Sequence, residues 1–248
     1  MSKILLITGA SRGIGAATAR LAADHGYDVC VNYANNRDEA DGVVADIKSK
    51  GQKAIAVQAD VGQEADVLRL FQTIDEQLGT LDAFFNNAGV IGLAERVDEL
   101  TEANIERMLR INVTGSLLCA REAVRRMSTK HGGKGGSIVN MSSAAARLGG
   151  ANGLIHYATS KGAIETFTKG FAEEVGREGI RVNAVRPGII ETDIHDDTGV
   201  PDRVAKLGPG VPMGRSGTPE EVAEAVLWLL SDSASYVTGT YVDISGGR

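Results

Sequence analysis

The sequence predicts an α/β fold: a doubly wound, seven-stranded and mostly parallel sheet with helices on both faces. Short β-branched or apolar runs alternate with longer stretches of helical periodicity along all 248 residues. Alternation of this kind indicates βαβ units, whose right-handed crossovers place the strands side by side and parallel. Neither a Pro- or Ser-rich linker nor an internal repeat divides the chain, so we expect a single domain over residues 1–248.

The expected strands and helices alternate in a regular order. Strands are predicted at 4–8, 29–33, 54–58, 83–86, 137–141, 181–185 and 241–244. Helices are predicted near 13–26, 38–50, 64–78, 102–128, 157–176 and 219–231. The stretch 193–217 has Pro-bounded turns and little periodicity, so we expect a substrate loop or lid there, with a variable surface loop as the alternative.

Composition restricts the partners and the compartment. A net charge of -6 argues against binding to nucleic acid or to an anionic membrane surface, because both need clustered Lys and Arg. No apolar stretch approaches membrane-spanning length or resembles a signal segment, so we expect a cytoplasmic protein. Cys30 and Cys119 lie in apolar runs without metal-ligand spacing, which predicts two buried, reduced thiols and no metal site. The expected partners are a small-molecule substrate and other copies of the chain.

A glycine motif directly follows the first predicted strand. Gly9, Gly13 and Gly15 lie in the octapeptide TGASRGIG at residues 8–15, which leads into an Ala-rich helix. Glycines at a strand-to-helix junction allow a tight turn and close backbone approach, and the helix N-terminus offers unpaired N–H groups to a pyrophosphate. The sequence therefore predicts the phosphate cradle of a dinucleotide-binding (Rossmann) fold. An ordinary Gly-rich turn is the alternative.

The end of the second predicted strand bears on the choice of cofactor. In dinucleotide-binding folds an acid at this position binds the ribose 2′-hydroxyl of NAD, whereas a nearby Arg accommodates the 2′-phosphate of NADP. Here no acid occurs before Asp38, and Arg12 and Arg37 lie close by in sequence. We therefore expect a preference for NADP(H), with NAD(H) still possible. Solvated arginines without a role are the alternative.

Tyr157 and Lys161 are spaced one helical turn apart. Side chains at i and i+4 lie on one helix face, so the ammonium would lie beside the phenol ring. A neighbouring cation favours the phenolate and lowers the pKa of tyrosine toward the range useful for proton transfer. The spacing also occurs by chance, and an exposed helical pair is the alternative.

Several motifs occur together in one order along the chain. They are the glycine motif, Asn86-Asn87-Ala88-Gly89, Asn112, Ser143, the Tyr157/Lys161 pair and Pro187-Gly188. With this set the sequence resembles the short-chain dehydrogenase/reductase family over essentially its whole length. The resemblance is strongest to glucose-dehydrogenase-like and 3-oxoacyl-carrier-protein-reductase-like members. It implies an oxidoreductase that interconverts a secondary alcohol and a carbonyl by hydride transfer.

The resemblance also implies roles for four catalytic residues. Tyr157 is expected to be the general acid or base. Lys161 is expected to lower the pKa of the phenol and to hold the nicotinamide ribose. Ser143 is expected to hydrogen-bond the substrate oxygen, and Asn112 to hold a water that links Lys161 to bulk solvent. Hydride addition to a carbonyl produces an alkoxide, which is why a positioned proton donor is needed.

The cofactor contacts implied by the resemblance extend over most of the chain. They are Gly9, Ser11, Arg12, Gly13, Ile14, Gly15, Asn32, Arg37, Asp60, Val61, Asn87, Ala88, Gly89, Tyr157, Lys161, Pro187, Gly188, Ile190 and Thr192. Within this set Asp60 and Val61 are expected at the adenine ring, and residues 87–89 on the adenosine side. The last four residues of the set are expected to shape the nicotinamide face.

The position of Ser143 departs from the common family spacing. Ser143 lies fourteen residues before Tyr157, whereas many members have the catalytic Ser thirteen residues before, where this chain has Ala144. A one-residue insertion within 147–152, absorbed by Gly149-Gly150, would restore Ser143 to the site. Ser142 remains the alternative, because adjacent residues near a strand end point to opposite sides.

Substrate identity, subunit contacts and the alternative functions are less clearly encoded. Substrate determinants are expected in 90–96, 144–156 and 193–217, with His156 in a substrate-side or surface role. Apolar residues on more than one side of the 102–128 and 157–176 helices favour a homo-oligomer, a dimer or a tetramer, over a purely internal core. The competing functions are a non-catalytic NADP(H) sensor or scaffold and a nucleotide-sugar epimerase or dehydratase, although the latter usually has a longer chain.

Overall fold

Seven parallel strands form the centre of the molecule. The computed structural model describes residues 2–151 and 153–248. Its strands are β1 (Lys3–Ile7), β2 (Tyr27–Tyr33), β3 (Ala54–Gln58), β4 (Ala83–Asn86), β5 (Gly136–Met141), β6 (Ile180–Pro187) and β7 (Tyr241–Ile244). They are ordered β3-β2-β1-β4-β5-β6-β7, and every neighbouring pair is parallel. The predicted fold class is confirmed.

Nine α-helices connect the strands in the described residues. They are α1 (Gly13–Asp24), α2 (Arg37–Ser49), α3 (Glu64–Gln77), α4 (Glu102–Leu109), α5 (Ser116–Met127), α6 (Ala144–Leu148), α7 (Ile155–Val175), α8 (Arg203–Leu207) and α9 (Pro219–Leu230). The single helix predicted over 102–128 was wrong in detail, because a π-helical turn at Arg110–Gly115 separates α4 from α5. The short helices α6 and α8 were not predicted, since five residues are too few for a periodic pattern.

The core has two layers, one on each side of the sheet. Alternate side chains of a strand point to opposite faces, so Leu5 and Ile7 of β1 face one layer and Leu6 faces the other. The first layer includes apolar residues of α1, α2 and α9, and the second includes those of α3, α5 and α7. Cys30 and Cys119 are both buried in the second layer, as expected, and burial raises the pKa of Cys119 to about 12.

The strand order determines where a ligand can bind. The chain runs outward from β1 to β2 and β3, then returns to β4 on the other side of β1. At such a reversal the loops at the carboxyl ends of the strands separate to opposite faces and leave a crevice. The glycine motif after β1, the loop after β4, the segment after β5 and the segment after β6 therefore all meet at one edge of the sheet.

Candidate active site

The loops at the carboxyl edge of the sheet enclose a cavity of about 780 Å³. Nearly all of the predicted site residues lie on its wall. These are Gly9, Ser11, Arg12, Gly13, Ile14, Gly15, Asn32, Asp60, Val61, Asn87, Ala88, Gly89, Ser143, Tyr157, Lys161, Pro187, Gly188, Ile190 and Thr192. Arg37 and Asn112 are not part of the wall.

The glycine loop has a shape that only glycine permits. Gly9 and Gly13 have φ values of +61° and +55°, in the left-handed region that L side chains rarely adopt. A Cβ at Gly15 would lie 2.5 Å from the carbonyl oxygen of Gly9. No side chain caps the N-terminus of α1, so its first N–H groups are available to an anion. The loop therefore fits the pyrophosphate of a dinucleotide.

Two asparagines brace this loop from behind. The Asn87 amide donates to the carbonyl oxygens of Thr8 and Gly9, at 2.8 and 3.0 Å. Asn32 is buried, accepts a hydrogen bond from the Gly9 N–H and donates to backbone carbonyls at the end of β3. Because the protein itself engages these amide groups, both side chains hold the cradle in shape. The sequence predicted their proximity to the cofactor but not this bracing.

At the end of β2 the structure separates the two arginines that were predicted to favour NADP(H). Residues 32–36 line the cavity, and no acidic residue occurs among them. Arg12 also lines the cavity, with its guanidinium 3.9 Å from the Asp193 carboxylate. Arg37 instead pairs with Asp41 along α2, and its side chain is 76% exposed. Arg37 is thus not on the cavity wall of the protein alone, and its expected contact with the cofactor stays a prediction.

Helix α7 places Tyr157 and Lys161 on the cavity wall, one turn apart. The Lys161 nitrogen lies 5.7 Å from the centre of the Tyr157 ring and donates to the Met141 carbonyl oxygen at 2.8 Å. A Cβ at Gly89 would lie 3.4 Å from this nitrogen. The glycine after β4 is thus what leaves room for the lysine.

The proton affinities of this pair differ from the sequence-based expectation. Burial raises the pKa of Tyr157, and the Ser143 hydroxyl, which faces the phenol, opposes that rise. Burial also lowers the pKa of Lys161 to about 8. The predicted lowering of the Tyr157 pKa by Lys161 was wrong for the protein alone, because loss of water disfavours the charged form of both groups.

The geometry distinguishes the two candidate serines. Ser143 faces Tyr157, and its hydroxyl oxygen accepts a hydrogen bond from the Ala145 N–H at 3.1 Å, which caps α6. Ser142 is 1% exposed and its hydroxyl donates to Glu165, on the far side. Between Ser143 and Tyr157 the chain forms α6 and then turns at Gly149 and Gly150, which both have positive φ. The expected one-residue insertion stays a prediction. Asn152, in the same predicted insertion, lies outside the described residues.

A partly buried ion pair supports the catalytic turn and was missed by sequence reasoning. The guanidinium of Arg186 donates to both Glu165 carboxylate oxygens, at 2.5 and 2.7 Å. It also lies 4.3 Å from the Tyr241 ring, whose hydroxyl donates to the Glu165 carbonyl. Glu165 is one turn beyond Lys161, so this cluster ties α7 to the ends of β5, β6 and β7. Its only sequence signal is the spacing of four residues after the lysine.

Asn112 lies in the π-helical turn, behind the cavity wall. Its amide donates to the Val90 carbonyl and to the Ser160 hydroxyl, while its oxygen accepts from the Val90 N–H. A Cβ at Gly89 would lie 3.2 Å from that oxygen, so Asn112 borders the space beside Lys161. The side chain holds the segment after β4 against α7. The expected role of Asn112 in holding a water stays a prediction.

The three segments expected to determine the substrate meet at the other end of the cavity. The Ala94 N–H donates to the Thr198 carbonyl, and the Glu95 N–H donates to the Gly153 carbonyl. The expected lid contains two short helical turns and α8 rather than an irregular loop. His156 is 7% exposed, so a surface role is wrong, and it does not line the cavity. Its Nε2 would lie 3.3 Å from a Cβ at Gly92, and a substrate-side role stays a prediction.

The helices expected at a subunit interface are only partly internal. Ile164 and Phe171 of α7 are buried in the core, whereas Leu109 and Leu117 are exposed by 39% and 41%. A homo-oligomer stays a prediction. Across the described residues no helix has the length and hydropathy needed to span a membrane, and no group of three or more metal-binding side chains is found.

The sequence of this chain is similar to a protein-family model and to many known proteins. A family model described as enoyl-(acyl carrier protein) reductase matches residues 9–248. The uncharacterized oxidoreductase YgfF of Escherichia coli is 51% identical over 99% of both chains. Glucose 1-dehydrogenase 2 of Bacillus subtilis is 38% identical over 99% of this chain and 94% of its own.

Solved structures show the same similarity. A short-chain dehydrogenase/reductase from Serratia marcescens has a TM-score of 0.90 and 33% identity, over 99% of this chain and 97% of its own. A short chain dehydrogenase from Burkholderia cenocepacia, solved in complex with NADP, has the same TM-score, identity and coverage. These similarities extend over the sheet, the cradle and the lid alike.

Proposed function

The chain belongs to the short-chain dehydrogenase/reductase family of NAD(P)-dependent oxidoreductases, and from that premise we propose that it interconverts a secondary alcohol and a carbonyl by hydride transfer, with Tyr157 as the general acid or base and NADP(H) as the favoured cofactor. One observation carries the proposal: Ser143, Tyr157 and Lys161 lie on one wall of the cavity that the glycine loop closes at its other end.

The residues on the wall fit a dinucleotide. The glycine loop and the N-terminus of α1 would hold the pyrophosphate, and Lys161 the hydroxyls of the nicotinamide ribose. The stretch from Pro187 to Thr192 would shape the nicotinamide face. When bound, the nicotinamide would supply or accept the hydride.

The preference for NADP(H) rests on charge. Arg12 is a cation on the wall, and the end of β2 contributes no carboxylate that would repel a 2′-phosphate. The relative from Burkholderia cenocepacia, solved with NADP, is consistent with this preference. NAD(H) remains the competing cofactor, and a direct comparison of affinities separates the two.

In reduction the protein's own residues handle the substrate oxygen. The hydroxyls of Ser143 and Tyr157 would donate hydrogen bonds to the carbonyl oxygen and polarise it. As the carbon gains a hydride, the oxygen takes the phenolic proton, which yields the alcohol and a tyrosinate. The Lys161 ammonium would stabilise that tyrosinate until a proton returns from solvent. In oxidation the same steps run in reverse.

The acid–base properties of the site suit the reductive direction. Because burial raises the pKa of Tyr157, the phenol is protonated at neutral pH and ready to donate. Lys161, with a pKa near 8, would exchange a proton with solvent more readily than an ordinary lysine. Both properties support Tyr157 as donor and Lys161 as the group that restores it.

Two further aspects belong to the same proposal. We expect a homo-oligomer, a dimer or a tetramer, whose subunits meet through the exposed apolar residues of α4 and α5 and through α7. The substrate is expected to be a small molecule, and a cytoplasmic location stays a prediction.

Replacing Tyr157 with phenylalanine is the direct test of the proposed chemistry. Tyr157→Phe removes the transferable proton and keeps the ring, so we expect the turnover of carbonyl substrates to fall by about a hundredfold to ten-thousandfold. The affinity for NADPH should change little. Turnover is followed by the loss of NADPH absorbance over a panel of carbonyl compounds, and affinity by fluorescence titration.

Tyr236→Phe is the matched control, since Tyr236 is fully exposed and distant from the cavity wall. It should leave both quantities unchanged. Near-wild-type turnover by Tyr157→Phe on a substrate that the wild type consumes would contradict the proposed role. Tight NADPH binding without turnover of any compound by the wild type would instead favour a non-catalytic sensor.

A further inference from the structure

Three of the arginines that line the cavity, Arg107, Arg203 and Arg248, have no carboxylate partner in the described residues. Arg203, the first residue of α8, and Arg248 both line the cavity that contains Tyr157 and Ser143. In the described residues neither guanidinium comes within 4.0 Å of an acidic side chain, although most cavity-distant arginines do. Unpaired arginines inside a concave site are unusual, because a desolvated cation is stabilised only by a partner.

The same wall carries polar atoms that the protein leaves unsatisfied. The Arg203 Nε and the His195 Nδ1 are buried and have no hydrogen-bond partner within the described residues. Buried polar groups in native proteins are almost always hydrogen-bonded, so these two atoms show that the protein's own groups leave part of the hydrogen-bonding capacity beside the cavity unused. Both orphans lie on the expected lid, opposite the catalytic turn of α7.

The two arginines also affect each other electrostatically. Burial lowers the pKa of Arg203, and the positive charge of Arg248 lowers it further. The main chain at Arg248 is held in place, because its backbone oxygen accepts hydrogen bonds from the Arg147 guanidinium at 2.6 Å and from the Ser245 hydroxyl at 3.0 Å. A pair of like charges held near one another is stabilised most by an anion between them.

Nearby acids do not neutralise this pair. Asp193 and Asp197 also line the cavity, but Asp193 faces Arg12 at the nucleotide end. Asp197 makes no ion pair within the described residues. The structure brings Arg203 and Arg248 to the same cavity from positions distant in sequence.

We infer that Arg203 and Arg248 bind an anionic group of the substrate, so that the compound reduced or oxidised at Tyr157 is an oxo or hydroxy compound that carries a carboxylate or a phosphate ester. This inference rests on the proposed function of the same site. Leu148, Leu154 and Ile194 line the wall as well. They give the part of the substrate between its reacting carbon and its anionic group an apolar surface.

The inference is tested by binding, with pairs of ligands that differ in charge. Levulinate is compared with methyl levulinate, and acetonyl phosphate with hydroxyacetone, by calorimetry on the NADP-saturated protein at low, fixed ionic strength. We expect at least one anionic ligand to bind about tenfold or more tightly than its neutral counterpart. The anion that shows the larger ratio identifies the carboxylate or the phosphate ester as the natural group.

Variants assign the preference to the arginines. Arg203→Gln should remove most of the preference for the anionic ligand, about tenfold to a hundredfold, and leave binding of the neutral ligand unchanged. Arg203→Lys should keep part of it, because it retains the charge but loses the planar fork. Arg248→Gln provides a second, independent variant if Arg203→Gln does not fold. Arg177→Gln is the control, since Arg177 is exposed and far from the wall.

Binding and turnover distinguish the inference from the proposed function. Equal binding of charged and neutral ligands, or a preference that survives both Arg203→Gln and Arg248→Gln, overturns the anionic site. An anionic preference that these variants remove supports it, even if no ligand is reduced with NADPH. In that last case the anionic site stands and the proposed hydride transfer on these compounds fails.

Discussion

The two ends of the cavity differ in whether the protein itself hydrogen-bonds their buried polar atoms. At the nucleotide end the Asn32 and Asn87 amides are engaged by the backbone that they hold in place. At the substrate end the Arg203 Nε and the His195 Nδ1 are buried without partners. A satisfied network is rigid before any ligand arrives, whereas orphaned polar groups are stabilised by the ligand that completes them. We therefore expect a nucleotide end that is preformed and a substrate end that its ligand completes.

Steric contacts around the glycines also restrict the backbone that surrounds the cavity. A Cβ at Gly15 would collide with the Gly9 carbonyl oxygen, and a Cβ at Gly188 would lie 2.8 Å from the Ser245 backbone. These contacts keep the backbone at the nucleotide end in a single arrangement. At the substrate end an added Cβ would meet nothing at Gly149 and only an ordinary contact at Gly199, whereas a Cβ at Gly150 would collide with the Leu154 carbonyl oxygen. Tight packing around a glycine therefore occurs at both ends, and Gly15 is the position at which it acts on the cradle itself.

Gly15→Ala tests the preformed end and should have the largest effect. The new Cβ would lie 2.5 Å from the Gly9 carbonyl oxygen and 2.8 Å from the Asn87 amide nitrogen, so the loop and α1 must separate. We expect the affinity for NADPH to fall by a hundredfold or more, because the N–H groups at the start of α1 lose their alignment. Fluorescence titration measures the affinity, and circular dichroism reports whether the fold persists.

Gly42→Ala is the matched control for this change. Gly42 lies in α2, and nothing is within 4 Å of the position that its Cβ would take. Alanine favours a helix interior, so this variant should gain about 0.5–1 kcal/mol of stability and keep its NADPH affinity. If Gly15→Ala binds NADPH as tightly as Gly42→Ala does, the nucleotide end is not the rigid element described above.

Lys161→Met removes a buried charge from the wall between the nucleotide end and the substrate end of the cavity. Burial lowers the pKa of Lys161 to about 8, and the side chain is 3% exposed. Keeping the ammonium charged at pH 7 therefore costs on the order of 3 kcal/mol of folding free energy, and methionine removes that cost. We expect Lys161→Met to be inactive yet more stable than the wild type, as measured by urea denaturation without cofactor.

The dependence of this gain on pH identifies its origin. The folded-state pKa lies below the ordinary lysine value, so above about pH 8 the unfolded chain binds more protons than the folded one. The stability of the wild type then rises with pH, and the gain from Lys161→Met should shrink between about pH 8 and pH 10. Lys169→Met, at an exposed lysine on α7, should show neither effect. A gain that is the same at pH 7 and pH 10 would contradict this origin.

The nucleotide end was more predictable from the sequence than the substrate end. Strand periodicity and the glycine motif are local signals, since each depends on neighbouring residues along the chain. They identified the seven strands, the cradle and the Tyr157/Lys161 pair. Ser143 was identified from the surrounding motifs, but only the structure showed that α6 and two left-handed glycines lie between Ser143 and Tyr157.

Properties that depend on distant segments could not be predicted. Arg203 and Arg248 approach each other only because the lid and the segment after β7 fold over one cavity. The pair between Glu165 and Arg186 joins α7 to β6 and has no local pattern. The predicted direction of the Tyr157 pKa shift was wrong for the same reason. Desolvation raises this pKa, and desolvation depends on how the whole fold surrounds the phenol.

Arg12→Gln tests the one side chain that connects the two ends, and its effect should be the smallest. Arg12 lies on the cradle and approaches Asp193 of the lid to 3.9 Å, with both side chains about half exposed or more, so the ion pair itself contributes little to stability. A 2′-phosphate would replace that contact with a stronger, charge-assisted one. We expect Arg12→Gln to weaken NADPH binding about tenfold and to leave NADH binding nearly unchanged. Arg177→Gln is the control and should change neither affinity, because Arg177 is exposed and is not part of the cavity wall. Equal effects of the two substitutions, or equal wild-type affinities for NADPH and NADH, would remove Arg12 as the basis of the cofactor preference.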